Sequence, residues 1–155
     1  MIEIINLKDE PENLATLASW HQQEWSCFNP GESIEDRILR MQTFLNKDFI
    51  PSTFIAKDNG LSGSAAIVSQ DMETHPKLTP WLASVYVPPE KRGHGIGSKL
   101  VLHVMAQAKQ EGISTLYLFT PDKQDFYLNL GWSTKSVEQY RNHDVTIMQA
   151  ELDKL

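Results

Sequence analysis

The stretch from Val85 to Leu100, VYVPPEKRGHGIGSKL, concentrates the chemistry of this sequence. A β-type run ends at Pro88-Pro89, and Gly93, Gly95 and Gly97 then alternate into a helical pattern. The first amides of a helix have no internal partner and carry partial positive charge. Glycine lets an anion approach the backbone closely. Together these features make a phosphate site, with Lys91, Arg92, His94 and Lys99 as nearby cationic or donor groups. Two common nucleotide motifs do not fit. A P-loop needs lysine directly after its second glycine, but Gly97 is followed by Ser98. The dinucleotide fingerprint needs glycine where Leu100 stands, counting from Gly95, or where Ser98 stands, counting from Gly93. A flexible turn ahead of a structural helix is the alternative reading.

Other reactive side chains are scattered. Tyr127, taken alone, is an aromatic packing a helix onto the core. No two histidines stand at i, i+4 on one helix, so no metal site is expected. His21 reads as a packed or surface residue, His103 as a satisfied core histidine and His143 as a turn residue. Cys27 is the single cysteine, which excludes an internal disulfide and a thiolate metal cluster. With no evident base beside it, Cys27 is expected to be a structural thiol.

Stepping outward, the 155 residues suit one domain, with 41% hydrophobic and 22% charged residues. The net charge of −6 weighs against nucleic-acid binding and favours cationic partners. No apolar run is long enough for a membrane span, and the N-terminal residues lack a signal peptide's basic start. A cytoplasmic protein is the expectation.

The elements follow from periodicity. Ile2 to Leu7 predicts a strand. Pro11 to Trp25 predicts a helix opened by proline. Ser33 caps a second helix, with Asp36 in the capping-box position and Ile34, Ile38, Met41 and Leu45 as its stripe. Ser52 to Lys57 and Leu61 to Ser69 predict a hairpin about Asp58-Asn59-Gly60. Residues 71 to 79 predict a loop, and Trp81 to Val87 a buried strand. A long helix is predicted over Gly95 to Glu111, stopped by Gly112. Ser114 to Phe119 predicts a strand, Asp122 to Leu130 a short helix, and Trp132 to Val137 and Asp144 to Glu151 the final strands. Val145, Ile147 and Gln149 are expected on one face of the last. The order β-α-α-β-β-β-α-β-α-β-β predicts a single mixed α/β domain over residues 1 to 155.

Arg92-Gly93-His94-Gly95-Ile96-Gly97 resembles the pyrophosphate motif [QR]-x-x-G-x-[GA] of the GNAT superfamily of N-acetyltransferases. LYLFTPDKQDFYLNLGW, residues 116 to 132, is similar to that family's next segment, which carries F-Y-x-x-x-G-[FW]. The resemblance implies a central twisted sheet with helices on both faces. It also implies acetyl-CoA as cosubstrate, lying where the strands Trp81–Val87 and Ser114–Phe119 part. Backbone groups at Val85, Tyr86 and Val87 are then expected to meet the pantetheine arm. The amides of Arg92, Gly93, His94, Gly95, Ile96, Gly97 and Ser98 are expected to hold the pyrophosphate. Tyr127 stands where many members place a tyrosine beside the sulfur, and a protonated phenol suits a departing thiolate.

Two departures from the family pattern stand out. Thr120 occupies a position that is often asparagine, and Trp81 occupies the position where some members place a catalytic glutamate. The base is therefore missing from the strand. Asp71, Glu73 and His75 in the preceding loop are the nearby candidates, against a reading as solvated loop residues. By resemblance, Trp20, Trp25, Phe28, Glu32 and residues 71 to 79 form an aromatic and acidic acceptor wall. The expected reaction is direct transfer of an acetyl group to a primary amine of a small molecule or peptide. A non-catalytic acyl-CoA-binding module is the alternative. The resemblance also allows a homodimer, although no sequence feature fixes one.

Overall fold

The computed structural model describes residues 1–154. The order is β1 (Glu3–Asn6), α1 (Leu14–Trp25), α2 (Ile34–Gln42), β2 (Ser52–Lys57), β3 (Leu61–Val68) and β4 (Trp81–Tyr86), followed by α3 (Ile96–Gln110), β5 (Thr115–Thr120), α4 (Gln124–Leu128), β6 (Ser133–Tyr140) and β7 (His143–Glu151). This is the succession that the sequence predicts. The strands form one mixed sheet in the order β1-β2-β3-β4-β5-β7-β6. Among the described residues, β4 and β5 are the parallel pair.

Local signals act where the sequence places them. Ser33 accepts from the Asp36 amide and Asp36 accepts from the Ser33 amide, so the capping box closes at the start of α2. Asn59 and Gly60 take positive φ at the β2–β3 turn. Gly112 and Gly131 do so beyond α3 and α4. Boundaries shift more than identities. Pro11–Asn13 forms a 3-10 turn ahead of α1, and α4 is confined to Gln124–Leu128. His143 opens β7 instead of turning the chain. Arg141 and Asn142 make that turn, with φ of 49° and 67°.

Alternation sends side chains to two cores, one on each sheet face. Phe54, Ala65, Ile67, Leu82, Leu116, Leu118, Met148 and Ala150 pack with Leu100, Val101, Val104 and Ala108 of α3. On the other face, Ile55 packs with Leu14, Leu17, Ala18 and Met41 of α1 and α2. Trp81, Phe28, Tyr140, Val145 and Ile147 extend that face. β7 carries Val145 and Ile147 on one face, as expected, and is apolar on the other face as well. It lies between β5 and β6, so Met148 and Ala150 are buried on the face opposite Val145 and Ile147.

Candidate active site

The site begins where the sheet opens. β4 is the fourth of seven strands in the sheet, yet Ala83 to Val87 stay partly exposed. The cause is a splay: β5 pairs with β4 at Trp81–Tyr117 and at no later position among the described residues. β4 also carries a bulge. Ser64 pairs with Tyr86 and Ala66 with Ala83, so three steps along β4 oppose two along β3, and Ser84 takes φ 55°. The extra residue resets the alternation. Leu82 and Val85 both face α3, while Tyr86 turns to α1 beside Trp20, His21 and Trp25.

A buried chain of hydrogen bonds holds the bulge. Ser64 Oγ donates to the Ser84 carbonyl at 2.9 Å, so His21 Nε2 at 2.8 Å must be the donor to Ser64 Oγ. That fixes the neutral tautomer and leaves buried Nδ1 without a partner. Burial, with Arg37 and Arg40 adding to it, pushes the imidazole down to about 3. His21 is therefore a neutral strut 1% exposed. Its place in an amphipathic helix left it open between a packed and a surface residue and did not signal the bond. Gly63, also on β3, is required by space: a Cβ there would lie 2.8 Å from the Tyr86 carbonyl oxygen.

The glycine segment follows β4. Gly93 and Gly95 have φ of 85° and 79°, and Gly95 stands at the N-cap of α3 without a side-chain cap. The first bond of the helix runs from the Lys99 amide to the Gly95 carbonyl. The amides of residues 93–98 have no acceptor among the described residues, and the first turn holds no acidic side chain. These are the terms on which an anion is held. Ile96 is buried, so its amide alone is available there. Gly97 faces Phe126, whose ring lies 3.5 Å from where a Cβ would stand. The cations near this turn divide differently than expected. Lys91 Nζ donates to the Asp58 and Asn59 carbonyls and to Ser62 Oγ, tying the β2–β3 turn to the loop. Arg92 Nε donates to the Val87 carbonyl at 2.7 Å, and its guanidinium lies over Tyr86. His94 and Lys99 are exposed.

Phe126 brings α4 against the start of α3, and Tyr127 follows it in the chain. Tyr127 is 8% exposed and packs edge-on to Phe126 and Trp132. Its hydroxyl has no hydrogen-bond partner among the described residues. Burial, with Asp122 nearby, raises its pKa well above the ordinary phenol value, so it stays protonated. Thr120 is buried, and its hydroxyl accepts from the Lys123 amide ahead of α4.

On the α1–α2 side of the splay lies a cleft of about 360 Å³. Ser84 and Phe119 line it from the sheet, Trp25, Phe28 and Glu32 from the α1–α2 segment, and Asp71 from the loop before β4. Trp20 packs on Tyr86 instead, and Trp81 is core, wholly buried with Nε1 donating to the Leu78 carbonyl. A second cavity of about 520 Å³ adjoins, with Phe28, Asn29, Glu32 and Arg141 common to both. Cys27 lines it and is exposed, unlike the structural thiol expected. His143 packs its ring against Phe28 at 4.6 Å.

The three base candidates separate cleanly. Glu73 bonds to the Tyr140 hydroxyl and the Arg141 guanidinium, which pull it down to about 2. His75 pairs with Glu138 at 2.6 Å. Asp71 lines the cleft, where desolvation pushes its carboxyl up to about 6 despite Arg40 and Arg141. The wall is also less acidic than expected, since Arg37, Arg40 and Arg141 line it too. The sequence hid these arginines because α2 and the β6–β7 turn are remote from the glycine segment along the chain.

Solved structures share the fold of this chain. The fold is that of aminoglycoside 6'-acetyltransferase type Ii, at 20% identity and TM-score 0.74, over 98% of this chain and 97% of that one. It is equally that of an acetyltransferase from Streptococcus agalactiae, at 21% identity and TM-score 0.70, over 97% and 98%. YncA from Salmonella typhimurium, solved with its cofactor acetyl-CoA, aligns at 16% identity and TM-score 0.69, over 99% and 95%. Among curated proteins, none matches the sequence. The sequence profile of the acetyltransferase (GNAT) family matches residues 16–132, and the chain belongs to that family of acetyl-CoA-dependent acetyltransferases.

Proposed function

We propose that the protein transfers an acetyl group from acetyl-CoA to a primary amine by direct attack in a ternary complex. The observation that carries the reading is the splay of β4 from β5. It joins the bare amides at the start of α3, on one side, to a cleft holding Asp71 on the other.

The residues fit the cosubstrate. The amides of Gly93, His94, Gly95, Ile96, Gly97 and Ser98 hold the pyrophosphate, whereas the Arg92 amide, expected to join them, is bonded to the Pro89 carbonyl. The free edge of β4 at Val85, Tyr86 and Val87 bonds the pantetheine amides. Bound acetyl-CoA supplies a thioester carbonyl. Asp71 takes a proton from the incoming ammonium, which frees the lone pair for attack. A carboxyl near 6 is ionised at neutral pH yet basic enough for that transfer. Tyr127 gives its proton to the departing sulfur. The amine sheds its second proton as the amide forms, and that proton restores the phenol through water.

The test is thiol release from acetyl-CoA across a panel of primary amines. Initial rates with both substrates varied should give intersecting reciprocal plots, as a ternary complex requires. Parallel lines would indicate an acyl-enzyme and overturn direct transfer. Binding of acetyl-CoA with no turnover on any amine would leave an acyl-CoA-binding module.

A further inference from the structure

The charges around the cleft do not cancel locally. Arg37 of α2 is 4% exposed and lines the cavity. Its Nε forms an ion pair with Glu32 Oε1 at 3.1 Å. Glu32 is the carboxylate paired with Arg37 among the described residues, and burial outweighs it, lowering the guanidinium's pKa. Glu32 is itself shared, for Arg40 donates to both of its oxygens through Nε and Nη2 at 3.1 and 3.0 Å. Two guanidiniums therefore face one carboxylate, and a positive charge is left over. Arg141 offers no such surplus, because Glu73, the Phe28 carbonyl and Asn29 Oδ1 engage it. A buried guanidinium that must share its one carboxylate is incompletely compensated, which is costly. An anion in the cleft would remove that cost.

The same cavity carries an excess negative group. Asp71 accepts no hydrogen bond from any cation among the described residues, and it shares the wall with Arg37. A cleft of about 360 Å³ with one surplus cation and one surplus anion is complementary to a small zwitterion. We propose that the acceptor is a small amino acid, its free carboxylate bound by Arg37 and its ammonium held at Asp71. This rests on the acyl-transfer reading and narrows it from amines in general to amines that carry a carboxylate.

Matched substrates test it. Thiol release is measured for each common amino acid, its C-terminal amide and its decarboxylated amine. For at least one amino acid, kcat/KM should exceed that of its amide by roughly 10- to 100-fold, the scale of a hydrogen bond to a charged group. Arg37→Gln should bring that ratio towards one, and Arg37→Lys should recover part of it. Amides or decarboxylated amines turned over as well as every amino acid would overturn the proposal and leave amine acetylation standing. That wild-type comparison decides even if the variants do not fold. An unchanged ratio in folded Arg37→Gln would remove Arg37 from carboxylate recognition. Absence of thiol release from all three series, with acetyl-CoA binding intact, would overturn this proposal together with the acyl-transfer reading.

Discussion

In the proposed mechanism two ionisable side chains divide the proton work, and burial shifts the pKa of each. Tyr127 is pushed up by desolvation, so its proton remains available at every relevant pH. Replacing it with phenylalanine keeps the packing against Phe126 and Trp132 and removes only the donor. Tyr127→Phe should lower kcat by roughly 10²-fold while the dissociation constant for acetyl-CoA, read by calorimetry, changes little. Asp71 is pushed the same way, from 3.8 to about 6. The groups acting on it are Arg40, Arg141 and Glu73. A base must be ionised, so kcat/KM should rise with pH through about 6, and Asp71→Asn should abolish that limb. The stability sign is opposite to the usual carboxylate. Folding favours the protonated form, so this group's contribution is full below its ordinary value and declines as pH rises through 6. Asp71→Asn should therefore gain about 1–3 kcal/mol in urea unfolding at pH 7 while losing activity.

At the level of elements, the β3–β4 pair shapes the proposed site, because the bulge at Ser84 resets the alternation along β4. Two features of neighbouring elements hold it in place. Gly63 leaves room for the Tyr86 carbonyl, and His21 on α1 props Ser64 under Ser84. Gly63→Ala should cost about 1–3 kcal/mol from crowding alone. His21→Ala should cost about 2–4 kcal/mol, since it leaves a cavity and frees a buried serine pair. Both are read from urea midpoints. The start of α3 is sensitive in another way. Gly95 lies at φ 79° and its amide is unpaired. Gly95→Glu should strain the turn and set a negative charge against the helix dipole. Acetyl-CoA affinity should fall by roughly 10- to 100-fold, and undiminished affinity would misplace the loop.

The whole molecule is a sheet covered on both faces and opened at one point near its middle. A ligand held across that opening, as proposed, would bridge α3 and β4 and should stabilise the fold globally. At a hundred times its dissociation constant, acetyl-CoA should add about 2.7 kcal/mol, seen as a raised Tm, and ATP should raise Tm much less. Equal shifts from ATP, with none from acetyl-CoA, would contradict the cofactor assignment for this fold.

Local sequence determined the turns, the capping box, the glycine segment and the order of elements, because each depends on neighbours a few residues away. Gly95 needs positive φ whatever surrounds it, and Ser33 finds Asp36 within a single turn. The short helix that carries Tyr127 was legible too, bounded by Gly131. Only the tertiary structure decided which charges meet. Arg37, Asp71 and Ser84 come from a helix, a loop and a strand that the sheet brings to one cleft. Glu73 and Asp71 stand two residues apart with opposite pKa shifts, because one meets Tyr140 and Arg141 while the other is desolvated. Solvation and long-range pairing belong to the folded surface, so no spacing along the chain encodes them.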